Sequence, residues 1–476
     1  MTGWKEKKHA LSEIIDYFLD INMNLNFVEN FVLRFMFFSQ ISVYLVQLMN
    51  GIGYGWLAPT LYRFKNSDDD ISLTSEECAW IATSHLFGRS LGSFLIAPFG
   101  NTISRCLFIL SVFTVNVITW PILLFFSQIN AWYTARFIFG ISCSVVDSIL
   151  PIYMAETCNP KFRALFNVFS TVLFFGGELI AFTLPELFSY RSILQMYTIF
   201  SIVVFGSTFW LQEPAQFLIR HGKIEKAEKH FSRLRGPAKL NPEFERIVQN
   251  TMEEKSKTSI IALITSPENY KSMRIVFIIN VFGCMTGFPA LNTFTPMLFS
   301  SSESMTVEQF LILFGGIQFL SSFLFTFTIE RFSRRSIALT GIAMVILIHT
   351  TTVALFYVHK NVGELPYFQW LIFFTVTAYA SVYGMIIRPL LGLIRGELFP
   401  QSIQTYGSCI VSVGMSLAGA VMSRIFLSVP PEMNFIGYTF IGLVLFVYVY
   451  VELPETRNKS LPEIQDELKG RIVTKF

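Results

Sequence analysis

Charge is what this sequence has least of. Asp, Glu, Lys and Arg make up 14% of its 476 residues, against about 25% in ordinary soluble domains. Too few polar side chains remain to cover a water-soluble surface. With 52% hydrophobic residues, 51 phenylalanines and a mean hydropathy of +0.51, the expected solvent is lipid. An excess of charge of one sign is also missing. The 36 basic residues meet 33 acidic ones and form no arm or stripe, which argues against nucleic acid as a partner. The six cysteines, at 78, 106, 143, 158, 284 and 409, have no CxxC or other metal-ligand spacing. They read as packing residues, with neither a metal nor a disulfide framework expected. No Ser-His-Asp, zinc or phosphate-loop arrangement is visible, so neither an enzyme nor a cofactor is expected.

What the chain does have is long apolar runs. A hydrocarbon core about 30 Å thick takes roughly 20 residues of helix, and twelve stretches qualify: 35–60, 79–99, 106–127, 131–154, 165–185, 190–211, 273–298, 309–329, 336–357, 368–394, 404–427 and 434–452. The fold class expected is an all-α membrane protein, with twelve transmembrane helices in two six-helix bundles. A long mixed segment precedes the first run, which predicts that the run is retained rather than cleaved as a signal. Only Arg63, Lys65, Arg191 and Lys360 fall in the loops on one side. The bias of basic residues to the other side places both termini in the cytoplasm. The organisation expected is a cytoplasmic segment 1–34, a first bundle 35–211, a cytoplasmic linker 212–272, a second bundle 273–452 and a cytoplasmic tail 453–476. In the linker, Ile224, Ala227, Phe231 and Leu234 recur at helical spacing, predicting short amphipathic helices under the bundle.

The two halves repeat their signals in order. A basic turn follows the second span of each, with Arg105 in one and Glu330, Arg334 and Arg335 in the other. An acid follows the fourth, Glu156 then Arg163, and Glu397 before Phe399-Pro400. After the sixth come Gln212-Glu213-Pro214 and Pro454-Glu455-Thr456. Equivalent residues are 229, 241 and 242 positions apart, one half-length with a variable loop. A duplicated six-helix half is a transporter architecture, with its site between the halves near mid-membrane. The charges at these ends predict two ion-pair networks, each pair contributing roughly 0 to 1 kcal/mol and together able to bias two conformations. The alternative is that they are solvated anchors.

Arg136-Phe137-Ile138-Phe139-Gly140, then Pro151-Ile152-Tyr153-Met154-Ala155-Glu156 and Arg163, resemble the fourth-helix signature of the sugar porter family of the major facilitator superfamily. Glu397-Leu398-Phe399-Pro400 and Pro454-Glu455-Thr456-Arg457 resemble its later signatures, and within the family the chain is most similar to insect facilitated trehalose transporters. The resemblance implies the major facilitator fold, facilitated transport of a small polar solute across the plasma membrane, and gating by the charged clusters. It implies no cofactor, and the bilayer and the solute as partners of a monomer. It also marks departures. Asn101, Thr102, Ser104 and Cys106 replace members of the family's first basic turn, and Gln404 stands where an arginine is common, predicting a weakened gate. Thr171 occupies the place of a fifth-helix glutamine, and Gly283-Cys284-Met285-Thr286-Gly287-Phe288-Pro289 that of a carboxamide-rich element. Pro389 matches one proline of the tenth helix, while Leu391 and Gly392 replace the proline and tryptophan after it.

Charges inside the spans remain: Arg89, Asp147, Glu178, Arg388 and Arg395. Each costs about 2.5 to 3.5 kcal/mol against lipid, so they are expected to face protein or water. Asp147, Thr171, Glu178, Thr286, Asn292, Arg388 and Pro389 are the candidate solute-binding residues. Two structural uses compete with this: Arg89 paired with Asp147 across a helix contact, and Arg395 and Arg424 snorkelling from near the interfaces. Family symporters oppose an acid in the first helix to the residue equivalent to Arg136, but residues 35–61 contain no Asp or Glu, which favours a facilitator. Two other readings are a transporter-like sensor or scaffold, and a carrier of a charged organic solute.

Overall fold

A computed structural model describes residues 27–66, 73–100, 102–158, 163–235, 242–254, 267–299, 306–325, 332–363, 365, 367–457 and 463–464. Each apolar run is helical, because a backbone in hydrocarbon must satisfy its own hydrogen bonds. The helices are α1 (Phe27–Gly55), α2 (Leu57–Asn66), α3 (Ser75–Phe99), α4 (Arg105–Phe125), α5 (Ile129–Ser148), α6 (Leu150–Thr157), α7 (Arg163–Leu187) and α8 (Tyr190–Phe205) in the first half. Between the halves lie α9 (Ala215–Arg220), α10 (Ile224–Arg235) and α11 (Pro242–Glu254). The second half holds α12 (Pro267–Met285), α13 (Phe288–Phe294), α14 (Val307–Phe325), α15 (Arg334–Asn361), α16 (Phe368–Val382), α17 (Arg388–Leu398), α18 (Gln401–Ser428) and α19 (Pro431–Glu452).

Among the described residues, ten helical paths are long and apolar enough to cross a membrane. They include α5 with α6, α12 with α13, and α16 with α17 as single interrupted paths. Helices α1 and α3 complete the twelve, packed on α7 and on α5 and α18. Local chemistry sets the helix starts. Helix α1 starts at Phe27 rather than 35, because no Gly or Pro interrupts the segment between. Helix α3 starts at Ser75 because Thr74 accepts from the Glu77 N–H at 3.2 Å while the Glu77 carboxylate accepts from the Thr74 N–H at 2.8 Å, a reciprocal cap. The residues after Trp56, expected to finish the first span, turn and run on as α2.

The linker follows its periodicity at Ala227 and Phe231, whereas Ile224 at the start of α10 is exposed. Ala227 and Phe231 of α10 bury against Ala215, Leu218, Ile219 and Phe244, with the Phe231 and Phe244 rings 5.1 Å apart. The Leu234 side chain lies outside the described residues.

The halves meet along two seams, α3 with α18 and α7 with α14. Within the first half, α3 and α5 touch backbone to backbone. A Cβ at Gly140 would lie 2.0 Å from the His85 carbonyl oxygen, and one at Gly88 would lie 2.0 Å from that of Phe137. In lipid, where tails are as apolar as the side chains, such close contact holds helices together. At one end of the molecule α2 packs on α13 and the Thr295–Leu298 turn. There one apolar core, including Trp56, Phe64, Phe288, Leu291 and Phe314, runs unbroken from half to half.

Candidate functional site

At the opposite end the halves part around a cavity of about 500 Å³. Asp147, Pro151, Glu156 and Thr171 line it from the first half, and Arg388, Pro389, Arg395 and Glu397 from the second. The local sequence breaks the helices around it. Pro151 sits in the first turn of α6, just after the α5–α6 break at Ile149. Gly287, at φ 108°, separates α12 from α13 in a conformation that disfavours any side chain. Before Pro389, which has no N–H to give, the tenth path loosens into a π-helical turn, Tyr383–Ile387. That turn sets the direction from which Arg388 enters the cavity.

Four of the expected solute-binding residues, Asp147, Thr171, Arg388 and Pro389, share this cavity. Asp147 is not free within it: its carboxylate lies 2.7 Å from Nε of Arg89, the structural pair. The Arg388 guanidinium lies 3.6 Å from the centre of the Phe174 ring, so α17 of one half stacks on α7 of the other. The remaining three lie off the cavity. Glu178 accepts from Nδ2 of Asn292 at 2.9 Å, and both are buried; the bond joins the halves through α7 and α13. Thr286 donates to the Gly283 carbonyl at 2.7 Å and lies 3.1 Å from the Tyr379 hydroxyl, deep in the second half. Its own carbonyl, freed by the break at Gly287, meets Nε2 of His349 at 3.1 Å.

The signature residues hold the first half together. Arg136 donates to the Gly53 carbonyl at 2.7 Å and lies over the Trp56 and Phe139 rings at 5.9 and 5.5 Å. No carboxylate pairs with it among the described residues. Gly140 makes the close approach to α3 described above, and the buried Tyr153 hydroxyl accepts from the Gln212 N–H at 3.4 Å.

The charged clusters form two equivalent corners at the cavity mouth. In the first, Arg105 Nη2 is 3.4 Å from Glu156, and Arg105 also donates to the Gly100 carbonyl. Glu213 accepts from the Ser104 hydroxyl and, at 3.3 Å, from the Cys106 N–H. In the second, Arg334 Nε is 3.3 Å from Glu397, which also accepts from the Thr456 hydroxyl. Glu455 accepts from the N–H groups of Arg334 and Arg457 at 2.9 Å and of Arg335 at 3.2 Å. Burial pushes the Glu455 carboxyl up, but these N–H donors and the Ser333 hydroxyl outweigh it and hold it below the usual carboxylate range. Arg335 lies over the Tyr450 ring at 5.5 Å. The pairs Arg105–Glu156 and Arg334–Glu397 each join residues of one half. Glu330 and the Arg163 side chain fall outside the described residues. The substitutions around Arg105 leave its ion pair intact, with the Gly100 carbonyl as a further acceptor for Arg105 and the Ser104 hydroxyl bound to Glu213.

Of the two readings of Arg395, facing protein or water and snorkelling to an interface, the structure shows the first. Arg395 lines the cavity, with Nε 3.4 Å from the Leu391 carbonyl and Nη2 3.7 Å from the Met415 sulfur. The signal was present in the sequence, since seven residues are two helical turns and put Arg395 on the face of Arg388. Arg424 instead stacks on Trp80 at 4.5 Å.

A family profile described as "Sugar (and other) transporter" matches residues 34–468. The chain is 23% identical over 450 residues to "Facilitated trehalose transporter Tret1" of Culex quinquefasciatus, covering 91% of this chain and 87% of that one. It is 24% identical over 444 residues to the protein of the same name in Apis mellifera ligustica, covering 91% and 88%. Among solved structures it superposes on the proton:xylose symporter XylE bound to 6-bromo-6-deoxy-D-glucose with a TM-score of 0.73 at 17% identity, covering 92% of this chain and 99% of that one. The human organic anion transporter MFSD10 gives 0.61 at 12% identity, covering 87% and 99%. The fold is thus that of the major facilitator superfamily.

Proposed function

Since this chain belongs to the sugar (and other) transporter family, we propose that it is a facilitative, alternating-access carrier of a small sugar-like solute. The observation that carries this reading is a cavity between two halves, open past charged corners at one end and sealed by a continuous apolar core at the other. Closing the open end and parting the sealed one converts it to the opposite state while the solute site stays in place. Because the pairs Arg105–Glu156 and Arg334–Glu397 each join residues of one half, the halves separate at the mouth without breaking either pair. The corners then meet when that end closes.

Facilitated rather than proton-coupled movement is supported by Arg136, which binds a backbone carbonyl of α1 instead of a carboxylate. We place the open end and both termini in the cytoplasm, and the carrier in the plasma membrane as a monomer. Asn458 of the tail begins the chain's N-x-Ser sequon; in this orientation it receives no glycan, and its glycosylation in native membranes would reverse the assignment.

The test is counterflow in liposomes. Labelled glucose or trehalose should accumulate transiently in vesicles preloaded with the unlabelled sugar, equally with and without a pH gradient. Saturable sugar binding with no exchange would replace the carrier by a sensor or scaffold of the same fold.

A further inference from the structure

The cavity holds more positive charge than its own acids neutralise. Among the described lining residues, Asp147, Glu156 and Glu397 are the carboxylates, and each has a guanidinium at 2.7, 3.4 and 3.3 Å, from Arg89, Arg105 and Arg334. Among the described residues, Arg388 and Arg395 lie within 4.0 Å of no carboxylate; the acids that act on them at longer range, Glu178 on Arg388 and Asp147 on Arg395, are bound to Asn292 and Arg89. Arg388 spends one face of its guanidinium on Phe174, and its N–H edge meets no acceptor among the described residues. Arg395 is held by a carbonyl and a thioether. A guanidinium has five donors in a fixed fork. Two of them facing one cavity inside a membrane protein form a site that lacks its anion.

The space between them is shaped for a solute body. Positions 388, 392, 395 and 396 fall on one face of α17, and Gly392 and Gly396 both line the cavity. A Cβ at either glycine would meet no other atom within 4 Å, so this is open volume rather than tight packing. Thr171 and Gln404 contribute hydroxyl and carboxamide groups to the same cavity, which suit a polyol.

We propose that the solute of this carrier is a sugar acid, a small polyhydroxylated carboxylate whose anionic group is held by Arg388 and Arg395 across the groove left by Gly392 and Gly396. The inference rests on the carrier reading of the same cavity and narrows its solute class.

Glucose, gluconate and glucarate keep a six-carbon polyol skeleton and carry no, one and two carboxylates. For the wild-type chain in detergent and in liposomes, the expected result is thermal stabilisation and counterflow by gluconate and glucarate, with glucose at least tenfold weaker in both. Arg388→Gln and Arg395→Gln should each weaken sugar-acid binding at least tenfold and so narrow the preference for the acids over glucose, and Arg388→Lys should lose less than Arg388→Gln. Gly392→Leu fills the groove without altering charge, and should abolish binding while the protein elutes as a folded, monodisperse species. Binding of the sugar acids without exchange would keep the site and reject the carrier. Exchange of glucose with no response to either acid, or responses to the acids that survive both Gln substitutions and Gly392→Leu, would overturn the sugar-acid site and leave the carrier standing.

Discussion

The two charged corners have the same parts and different surroundings. In the first half the ion-paired side chains are 2% and 8% exposed, for Arg105 and Glu156; in the second they are 11% and 25%, for Arg334 and Glu397. Each corner also uses an acid from beyond the sixth or twelfth path to cap the first turn of α4 or α15. Glu213 binds Ser104 and Cys106, and Glu455 binds the N–H groups of Arg334 and Arg335. Duplication thus preserved a geometry while burial diverged. Burial decides what a pair does. A dry pair is a fixed joint whose disruption strands a charge, whereas a wet one can be broken and remade with little penalty.

Substituting the arginines tests that contrast most strongly. Arg105→Gln should destabilise the protein by about 3 to 5 kcal/mol, because it breaks an ion pair that is almost wholly buried. Arg334→Gln should cost about 1 kcal/mol, near the range of exposed pairs. Thermal unfolding of both variants in the same detergent checks this, and equal losses would mean that burial does not separate the corners.

The caps should give a smaller effect. Ser104→Ala with Glu213→Gln, combined in a double-mutant cycle, should be non-additive by about 0.5 to 1 kcal/mol, because both changes remove one shared hydrogen bond. The corresponding Ser333→Ala and Glu455→Gln cycle should show weaker coupling, since Glu455 keeps three backbone N–H donors when the serine is gone. Reversed coupling strengths would show that the second acid, not the first, depends on its serine.

The smallest effect is a pH dependence. Because the folded state holds the Glu455 carboxyl low, its contribution to stability is fully present above the ordinary carboxylate value near 4.3 and is lost as pH falls through the depressed one. The acid limb of stability against pH should therefore flatten in Glu455→Gln. A wild-type and variant difference that is constant from pH 6 to pH 3 would remove Glu455 from that limb.

Much of the architecture could be read from the chain because its signals are local or periodic. Long apolar runs marked the crossings, and Gly287 with Pro289 marked the break in the seventh path. Paired motifs about 240 residues apart marked both corners. What escaped depends on contacts between distant segments. Nothing in the sequence around Glu178 or Asn292 says that they hydrogen-bond across the halves, and no period announces that α2 folds onto α13. The π-helical turn before Pro389 is intermediate: the proline was visible, but its effect on the preceding turn also reflects the packing of Gly384 against Phe175. For Asp147, two partners were open in the sequence, the solute and Arg89; the geometry shows the pair with Arg89 on a residue that also lines the cavity.

The glycines at the contact of α3 and α5 also govern motion. Since Gly88 and Gly140 leave no space between α3 and α5, α3 cannot slide against its own half and must travel with it as one rigid piece. Relative motion of the halves is then confined to its other face, where the contacts with α18 include the Ser93 hydroxyl, 2.9 Å from that of Ser412, and the Trp80 ring under Arg424 at 4.5 Å. Two short hydroxyl groups interlock little and find new partners after a small displacement. The molecule has a welded side and a sliding side on a single helix, and the sliding side sets how freely it changes shape.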